Sequence, residues 1–280
     1  MVRIVSDTST LYSSAQAKEA GFAVSPLSVT IAGETYREFD DITPEQFVGI
    51  IRQGHLPVSS QPAVGDVAAL YDQYPGEVLL NIAMADGLSG TYNGAVAATG
   101  ISEAPESVTV INSRTLCGPH RYIVEKAVEM ANAGCSLEEI VKATEARMDS
   151  ALSFLMPADF DYLRRGGRLS PMVSYVGGAM HLIPVMTQTE DGKQLTVAGI
   201  RRSFPQAVKH VIKNLDKHGL EDGSGWSIYV THAANLEVAE MARGQLAEHY
   251  PNATIEIYGL SPAFITQGGP GCMAIQVVRG

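Results

Sequence analysis

The sequence predicts an α/β protein of two domains, and three observations lead to this prediction. The chain has 280 residues, which is enough for two domains with ordinary cores. Residues 1–156 alternate apolar segments of strand length with helical patterns, which is typical of a mainly parallel sheet covered by helices. Residues 157–280 lose this alternation and contain Asp191-Gly192, a hairpin signal that predicts a mixed sheet. We therefore expect the domains to be residues 1–156 and 157–280.

In the first half of the chain, helix caps and apolar runs locate the elements. Thr43-Pro44-Glu45-Gln46 and Ser136-Leu137-Glu138-Glu139 are capping boxes that predict helix starts, and Gly21 predicts a helix end. The predicted strands are residues 3–5, 24–31, 34–39, 78–83, 108–111 and 151–156. The predicted helices are residues 13–20, 44–53, 64–74, a segment around 95–98, 119–133 and 137–148. The strand at 151–156 is expected to continue the parallel sheet of this half.

The second half of the chain has a different order of elements. Short helices are predicted at residues 160–165 and 171–180. The predicted strands are residues 183–189, 194–200, 226–231, 254–258 and 272–278, and the longer helices are residues 203–218 and 236–249. The order predicts a sheet that mixes antiparallel and parallel pairs.

Composition excludes several functional classes. A net charge of −10 argues against binding to duplex nucleic acid, which needs clustered Lys and Arg. No run of 18 apolar residues is present, so no membrane-spanning segment is predicted, and the start of the chain shows no signal-peptide pattern. The three cysteines, Cys117, Cys135 and Cys272, are few and odd in number, which favours reduced thiols in the cytoplasm.

Four loops rich in small polar residues are candidates for a binding site. They are residues 6–10, 59–60, 89–91 and 266–271. Each loop alone also fits an ordinary turn or helix cap. Because the carboxyl ends of parallel strands meet at one edge of a sheet, we expect the first three loops to gather there, with the fourth close by. Their combination favours a binding site.

The stretch around Ser89 is the strongest of these candidates. Gly87-Leu88-Ser89-Gly90-Thr91 joins a predicted strand to a helix and leaves free amides and hydroxyls at the helix N-terminus, which favours a carboxylate or phosphate. A serine hydrolase that uses Ser89 with Asp86 and His232 stays open, although the final glycine of a nucleophile elbow is missing.

Other catalytic signals are weak. No Cys-x-x-Cys or histidine pair indicates a metal site, and no P-loop indicates a nucleotide site. Five arginines fit either a solvated surface or a docking patch for an anionic partner: Arg164, Arg165, Arg168, Arg201 and Arg202.

These motifs together resemble the DegV family, the fatty-acid-binding proteins that include the B subunit of bacterial fatty acid kinase. The matching motifs run from end to end of the chain and are Ser6-Asp7-Thr8-Ser9, Ser59-Ser60-Gln61-Pro62, Gly87-Leu88-Ser89-Gly90-Thr91-Tyr92, Tyr162-Leu163-Arg164-Arg165-Gly166-Gly167-Arg168 and Gly269-Pro270-Gly271. The chain departs from the family at Gln267, where a histidine is usual. Glutamine donates a hydrogen bond to a carboxylate but carries no positive charge.

The resemblance implies a long-chain fatty acid, such as palmitate, in a tunnel between two α/β domains, with no cofactor. The implied acid-binding residues are Ser59, Ser60, Ser89, Gly90 and Gln267. Arg202 and Arg168 are implied to contact a separate ATP-binding kinase, which phosphorylates the bound acid to an acyl-phosphate for phospholipid metabolism. On this basis the chain is a lipid-binding subunit and no enzyme by itself. A lipid carrier or sensor without a kinase is the alternative.

Overall fold

Three sheets organise the chain in the computed structural model, which describes residues 2–171 and 182–280. Within these residues the strands are β1 (Val2–Asp7), β2 (Ala23–Ser25), β3 (Ser28–Ile31), β4 (Glu34–Arg37), β5 (Val58–Ser60), β6 (Val78–Ala83), β7 (Val108–Asn112), β8 (Leu152–Met156), β9 (Ile183–Gln188), β10 (Leu195–Arg201), β11 (Trp226–His232), β12 (Thr254–Gly259) and β13 (Met273–Arg279). The sheet orders are β2-β1-β6-β7, β10-β9-β8-β13-β11-β12 and β4-β3-β5.

Helices cover these sheets. Within the same residues they are α1 (Ser14–Glu19), α2 (Pro44–Arg52), α3 (Val64–Tyr71), α4 (Thr91–Thr99), α5 (Cys117–Asn132), α6 (Leu137–Met148), α7 (Phe160–Gly166), α8 (Phe204–Lys217), α9 (Leu236–His249) and α10 (Pro262–Gly268). Both predicted capping boxes form, at Thr43 and at Ser136. The helix predicted at 171–180 lies outside the described residues, apart from Pro171.

The first sheet is fully parallel, as the alternation of strands and helices predicts. β1 pairs with β2 and β6, and β6 pairs with β7, all in parallel. Ile4 belongs to a core with residues of α1, α5 and α6, whereas the neighbouring Val5 belongs to a core with residues of α3 and α4. Because successive side chains of a strand point to opposite faces, helices cover this sheet on both sides. The predicted fold class, a parallel sheet and a mixed sheet, is confirmed.

The prediction that residues 151–156 continue the parallel sheet is wrong. This segment is β8, which pairs antiparallel with β13 and with β9 in the six-stranded sheet. An apolar run of strand length predicts a buried strand but carries no information about its neighbours. The division of the chain into domains at residues 156 and 157 remains a prediction.

The single strand predicted at residues 24–31 is also wrong, because it divides at Pro26. The residues before Pro26 form β2 in the parallel sheet, and those after it form β3 in the small antiparallel sheet. Proline lacks the amide hydrogen that a continuous strand would need at this point. β3 then pairs with β5, which brings Ser59 opposite Val29.

Helix α5 joins the two larger sheets. It packs against β1 on one side and against β11 and β13 on the other. At its start, Gly118 leaves no room for a Cβ against the ring of Tyr229 on β11. Further along, the Arg121 guanidinium lies 3.7 Å from the ring centre of Tyr12 and 4.4 Å from that of Tyr258 on β12. These contacts fix the two sheets relative to each other and so fix the cleft between them. None of the helices in residues 2–171 and 182–280 has both the length and the apolar character that crossing a membrane requires.

Candidate functional site

A polar cavity of about 310 Å³, here called the mouth, collects residues from three distant parts of the chain. Ser59 and Ser60 come from β5, Ser89 and Gly90 from the loop after β6, and Gln267 from α10. The structure therefore brings all five predicted acid-binding residues to one place. Whether they bind an acid remains a prediction.

Ser59 and Gln267 contact each other across the mouth. The Nε2 of Gln267 donates a hydrogen bond to the Oγ of Ser59 at 3.1 Å. Gln267 lies in the last turn of α10, so the prediction of a loop at 266–271 is wrong for residues 266–268. Pro262 at the first position of this helix, after Ser261, is the sequence signal for its start.

Ser89 lies at the N-terminus of α4, as the sequence predicts. Its Oγ accepts a hydrogen bond from the Thr91 amide at 3.2 Å and is 2.8 Å from the Thr91 Oγ1. The Gly90 amide has no acceptor among the described residues and is available to an anion.

The geometry does not assemble a catalytic triad on Ser89. Asp86 forms an ion pair with Lys193, and the Nδ1 of His232 accepts a hydrogen bond from the Asn235 amide at 3.2 Å. Within residues 2–171 and 182–280, neither side chain bonds to Ser89. The structure therefore gives no support to the hydrolase alternative.

Three glycines allow the walls of the mouth to approach closely. A Cβ on Gly87 would overlap the backbone of Lys193, so the turn between β9 and β10 rests directly on this loop. A Cβ on Gly90 would meet the Gln61 side chain, and one on Gly166 would meet the Gln267 side chain. The motif match includes these glycines, but the contacts join residues far apart in the chain and have no signal in the sequence.

An apolar cavity adjoins the mouth and is here called the tail cavity. It encloses about 100 Å³, is lined almost entirely by apolar atoms, and shares Met84, Leu88, Arg168, Phe264 and Gln267 with the mouth. The two cavities are therefore adjacent.

One row of the six-stranded sheet forms a wall of the tail cavity. Leu155 on β8 lies opposite Met186 on β9 and opposite Ala274 on β13, and all three line the cavity. Sequence reasoning missed these residues. Each strand is apolar, but only its register with the neighbouring strands shows which side chains share a face.

The predicted gathering of residues 6–10 at the site is wrong. Ser9 and Thr8 are fully buried, and neither the mouth nor the tail cavity includes them. The Oγ of Ser9 lies 2.5 Å from Nδ1 of His120, which is itself fully buried. These hydroxyls are satisfied inside the core, where no substrate reaches them.

Glu38 connects this buried loop to the helix that carries Gln267. It is fully buried and accepts hydrogen bonds from the Thr8 hydroxyl at 2.5 Å and from the Ala263 amide, in the first turn of α10, at 2.9 Å. Burial raises the pKa of Glu38 to about 7, although the hydrogen bonds from Thr8 and Ala263 act in the opposite direction.

We expect Glu38 to make stability depend on pH. Because the folded protein holds this proton more tightly than the unfolded chain, its contribution is fully present below the ordinary carboxyl pKa of 4.5 and is lost as the pH rises to about 7. The expected loss is about 3 kcal/mol of unfolding free energy. Urea unfolding of the wild type and of Glu38→Gln at pH values across this range measures it. The glutamine variant should lack this part of the pH dependence, and an unchanged dependence would contradict the assignment.

The two arginines predicted to contact a partner lie in different environments. Arg168 borders both cavities, and its Nε donates to the carbonyl oxygen of Leu88 at 3.2 Å. Arg202 is exposed just before α8, and its guanidinium makes no hydrogen bond or ion pair among the described residues. The structure thus places Arg168 in the site and Arg202 on the surface.

The fold and the site together define a class of protein: an α/β protein of two main sheets in which a polar mouth lies beside an apolar cavity between the sheets. The DegV family model, described as that of an uncharacterised protein, matches residues 1–280. The chain belongs to the DegV family.

Related proteins match this chain over nearly its whole length, both in sequence and in fold. A DegV domain-containing protein of Staphylococcus aureus (strain N315) is 28% identical over 281 residues, which cover 99% of this chain and 98% of the relative. A fatty-acid-binding DegV family protein from Thermus thermophilus is 24% identical with a TM-score of 0.89, covering 100% and 99% of the two chains. A DegV family protein from Eubacterium eligens, solved loaded with heptadecanoic acid, is 20% identical with a TM-score of 0.87 and full coverage of both chains, 100% each. At these identities, the two solved structures show that the fold is shared.

Proposed function

We propose that this DegV family protein binds a long-chain fatty acid and presents its carboxylate to a separate kinase. The observation that carries the proposal is the polar mouth directly beside the apolar tail cavity, an arrangement that matches the polar and apolar ends of a fatty acid. Fatty acids bound by relatives of the same fold support it.

At the mouth, the carboxylate would accept hydrogen bonds from the Ser59 and Ser89 hydroxyls and from the free Gly90 amide. The Gln267 amide, which now donates to Ser59, lies beside them, and Ser60 completes the polar wall. The Arg168 guanidinium borders this space and supplies the positive charge that the amide of Gln267 lacks.

The tail would provide most of the affinity. Burying roughly 14 methylenes at ~0.8 kcal/mol each gives about 11 kcal/mol, against an association cost of about 4–15 kcal/mol. A hydrogen bond to a charged head group adds only about 1.5–3 kcal/mol. The hydroxyls therefore position the carboxylate at the mouth, and the flexible side chains of Met84 and Met186 adapt the cavity to the chain.

The kinase would dock through the exposed face that begins at Arg202. On α8, Lys209 and Lys213 are exposed one helical turn apart, so a basic stripe continues from Arg202 on a protein of net charge −10. Such a stripe fits an acidic surface on a partner protein.

We expect Arg202→Glu to slow phosphorylation of the bound acid by a cognate kinase at least tenfold, without changing the affinity for the acid. Charge reversal at a docking surface costs association, whereas the site lies elsewhere. The matched control is Lys142→Glu, which reverses an exposed charge on α6. Equal rates for the two variants would contradict docking at Arg202, whereas no phosphorylation of the acid bound to the wild type would assign the protein as a carrier.

The binding proposal is tested by mass spectrometry of an organic extract from the purified protein. A tightly held acyl chain should copurify in near-equal molar amount. An extract without acyl chains, together with no binding of added palmitate to the delipidated protein, would refute the proposal.

A further inference from the structure

The tail cavity has a polar boundary at a second place, away from the mouth. Ser153, Phe154 and Gln188 line the tail cavity and also line a larger cavity of about 460 Å³, whose wall mixes polar and apolar groups. None of these three residues lines the mouth. A chain that enters at the mouth and fills the tail cavity therefore meets this boundary with its distal part.

Ser153 offers a free hydrogen-bond donor at the boundary. Its Oγ accepts a hydrogen bond from Nε2 of Gln276 at 3.0 Å, and its own hydroxyl hydrogen has no acceptor among the described residues. Gln276 is almost fully buried on β13 and is held by the Leu116 carbonyl and the Gly118 amide. The Gln276 amide thus lies on one side of the Ser153 Oγ, and the hydrogen of the Ser153 hydroxyl points away from that amide.

Gln188 offers a free acceptor at the same boundary. Its Nε2 makes two long hydrogen bonds, 3.4 Å to the Arg114 carbonyl and 3.5 Å to the Gly192 carbonyl. Its Oε1 accepts no hydrogen bond from residues 2–171 or 182–280. One unpaired donor and one unpaired acceptor therefore lie where the tail cavity meets the larger cavity.

A hydroxyl group is the chemical complement of this pair. It accepts one hydrogen bond and donates another, whereas a ketone or ether oxygen uses the donor alone. A methylene at this place uses neither group and displaces their water. The tail cavity encloses about 100 Å³, which is less than a long acyl chain occupies, so the distal part of such a chain extends past Ser153 and Gln188 towards the larger cavity.

We propose that Ser153 and Gln188 form a subsite for a hydroxyl group on the distal part of the acyl chain. The protein then binds hydroxylated long-chain acids more tightly than the same acids without the hydroxyl group. The inference rests on the proposed function, because it places the subsite at the far end of the same acid-binding site.

The test measures affinities of the delipidated full-length protein for stearic acid and for hydroxystearic acids. In one group of acids the hydroxyl lies beside the carboxyl group, and in the other it lies in the distal half of the chain. We expect at least one distal isomer to bind about tenfold more tightly than stearic acid. In the double variant Ser153→Ala, Gln188→Met, this ratio should fall to about one. Thr99→Ala, which removes a hydroxyl group on α4 outside these cavities, should keep the ratio.

The outcomes separate this inference from the proposed function. Binding of stearic acid with no preferred distal isomer would overturn the subsite and leave the proposed function intact. A preference that survives the double variant would overturn the assignment to Ser153 and Gln188. Failure of every acid to bind would overturn the proposed function and the subsite with it.

Discussion

Replacing Ser59 and Ser89 together by alanine is expected to weaken the binding of palmitate by roughly 100-fold. Both hydroxyls line the mouth, and two hydrogen bonds to a carboxylate at about 1.5 kcal/mol each, the lower end of the range for charged groups, give a loss of about 3 kcal/mol. The tail contacts remain, so measurable binding should persist. Titration of the delipidated protein with palmitate gives the change, and phosphorylation by a kinase should fall with it.

A matched control uses two hydroxyls outside the mouth and the tail cavity. Thr99→Ala and Ser107→Ala remove hydroxyl groups that bond only to a nearby backbone carbonyl. The unfolding free energies of both double variants should lie within about 1 kcal/mol of that of the wild type. Unaltered affinity in the Ser59 and Ser89 variant would show that the carboxylate binds elsewhere.

Filling the tail cavity is expected to have a still larger effect on long-chain acids. Ala274 lies on β13 in the cavity wall, opposite Leu155, and a phenylalanine there would occupy the space that the acyl chain needs. Because each excluded methylene forfeits ~0.8 kcal/mol, we expect Ala274→Phe to weaken palmitate binding more than 100-fold. Binding of a short acid such as octanoate should change little, since its chain ends near the mouth.

A series of side chains of increasing size at residue 274 tests this prediction further. Ala274→Val adds two methyl groups and should reduce palmitate affinity by an intermediate factor. The unfolding free energy of each variant is measured alongside, because overpacking alone costs about 1–3 kcal/mol. Equal losses for palmitate and octanoate would mean that the substitution acts through the fold and not through the tail cavity.

The sequence predicts the parallel half of the fold well, because local signals determine it. Capping residues such as Ser136 and apolar runs such as residues 78–83 mark elements without reference to distant residues. β8 is different. Its apolar run predicts a buried strand, but its partners, β9 and β13, follow it in the chain and no local signal identifies them.

The same distinction explains what could be predicted of the site. The motif around Ser89 combines a helix N-terminus with small residues, and the structure places it at the mouth as expected. The acid-binding roles of Ser59 and Gln267 could be predicted only from the resemblance to a family. They lie in a separate sheet and a separate helix, and no regular spacing in the sequence relates them. The tail cavity depends on the register of three strands, and the position of Ser153 in it emerges only from the folded chain.

A crystal structure with a bound long-chain acid that carries a bromine at its methyl end would show the position and direction of the acid in the cleft. We predict carboxylate oxygens within hydrogen-bond distance of the Ser59 and Ser89 hydroxyls, and anomalous bromine density beyond the row of Leu155, Met186 and Ala274. A carboxylate at the opposite end of the cavity, or an acid bound outside the cleft between the two sheets, would contradict it.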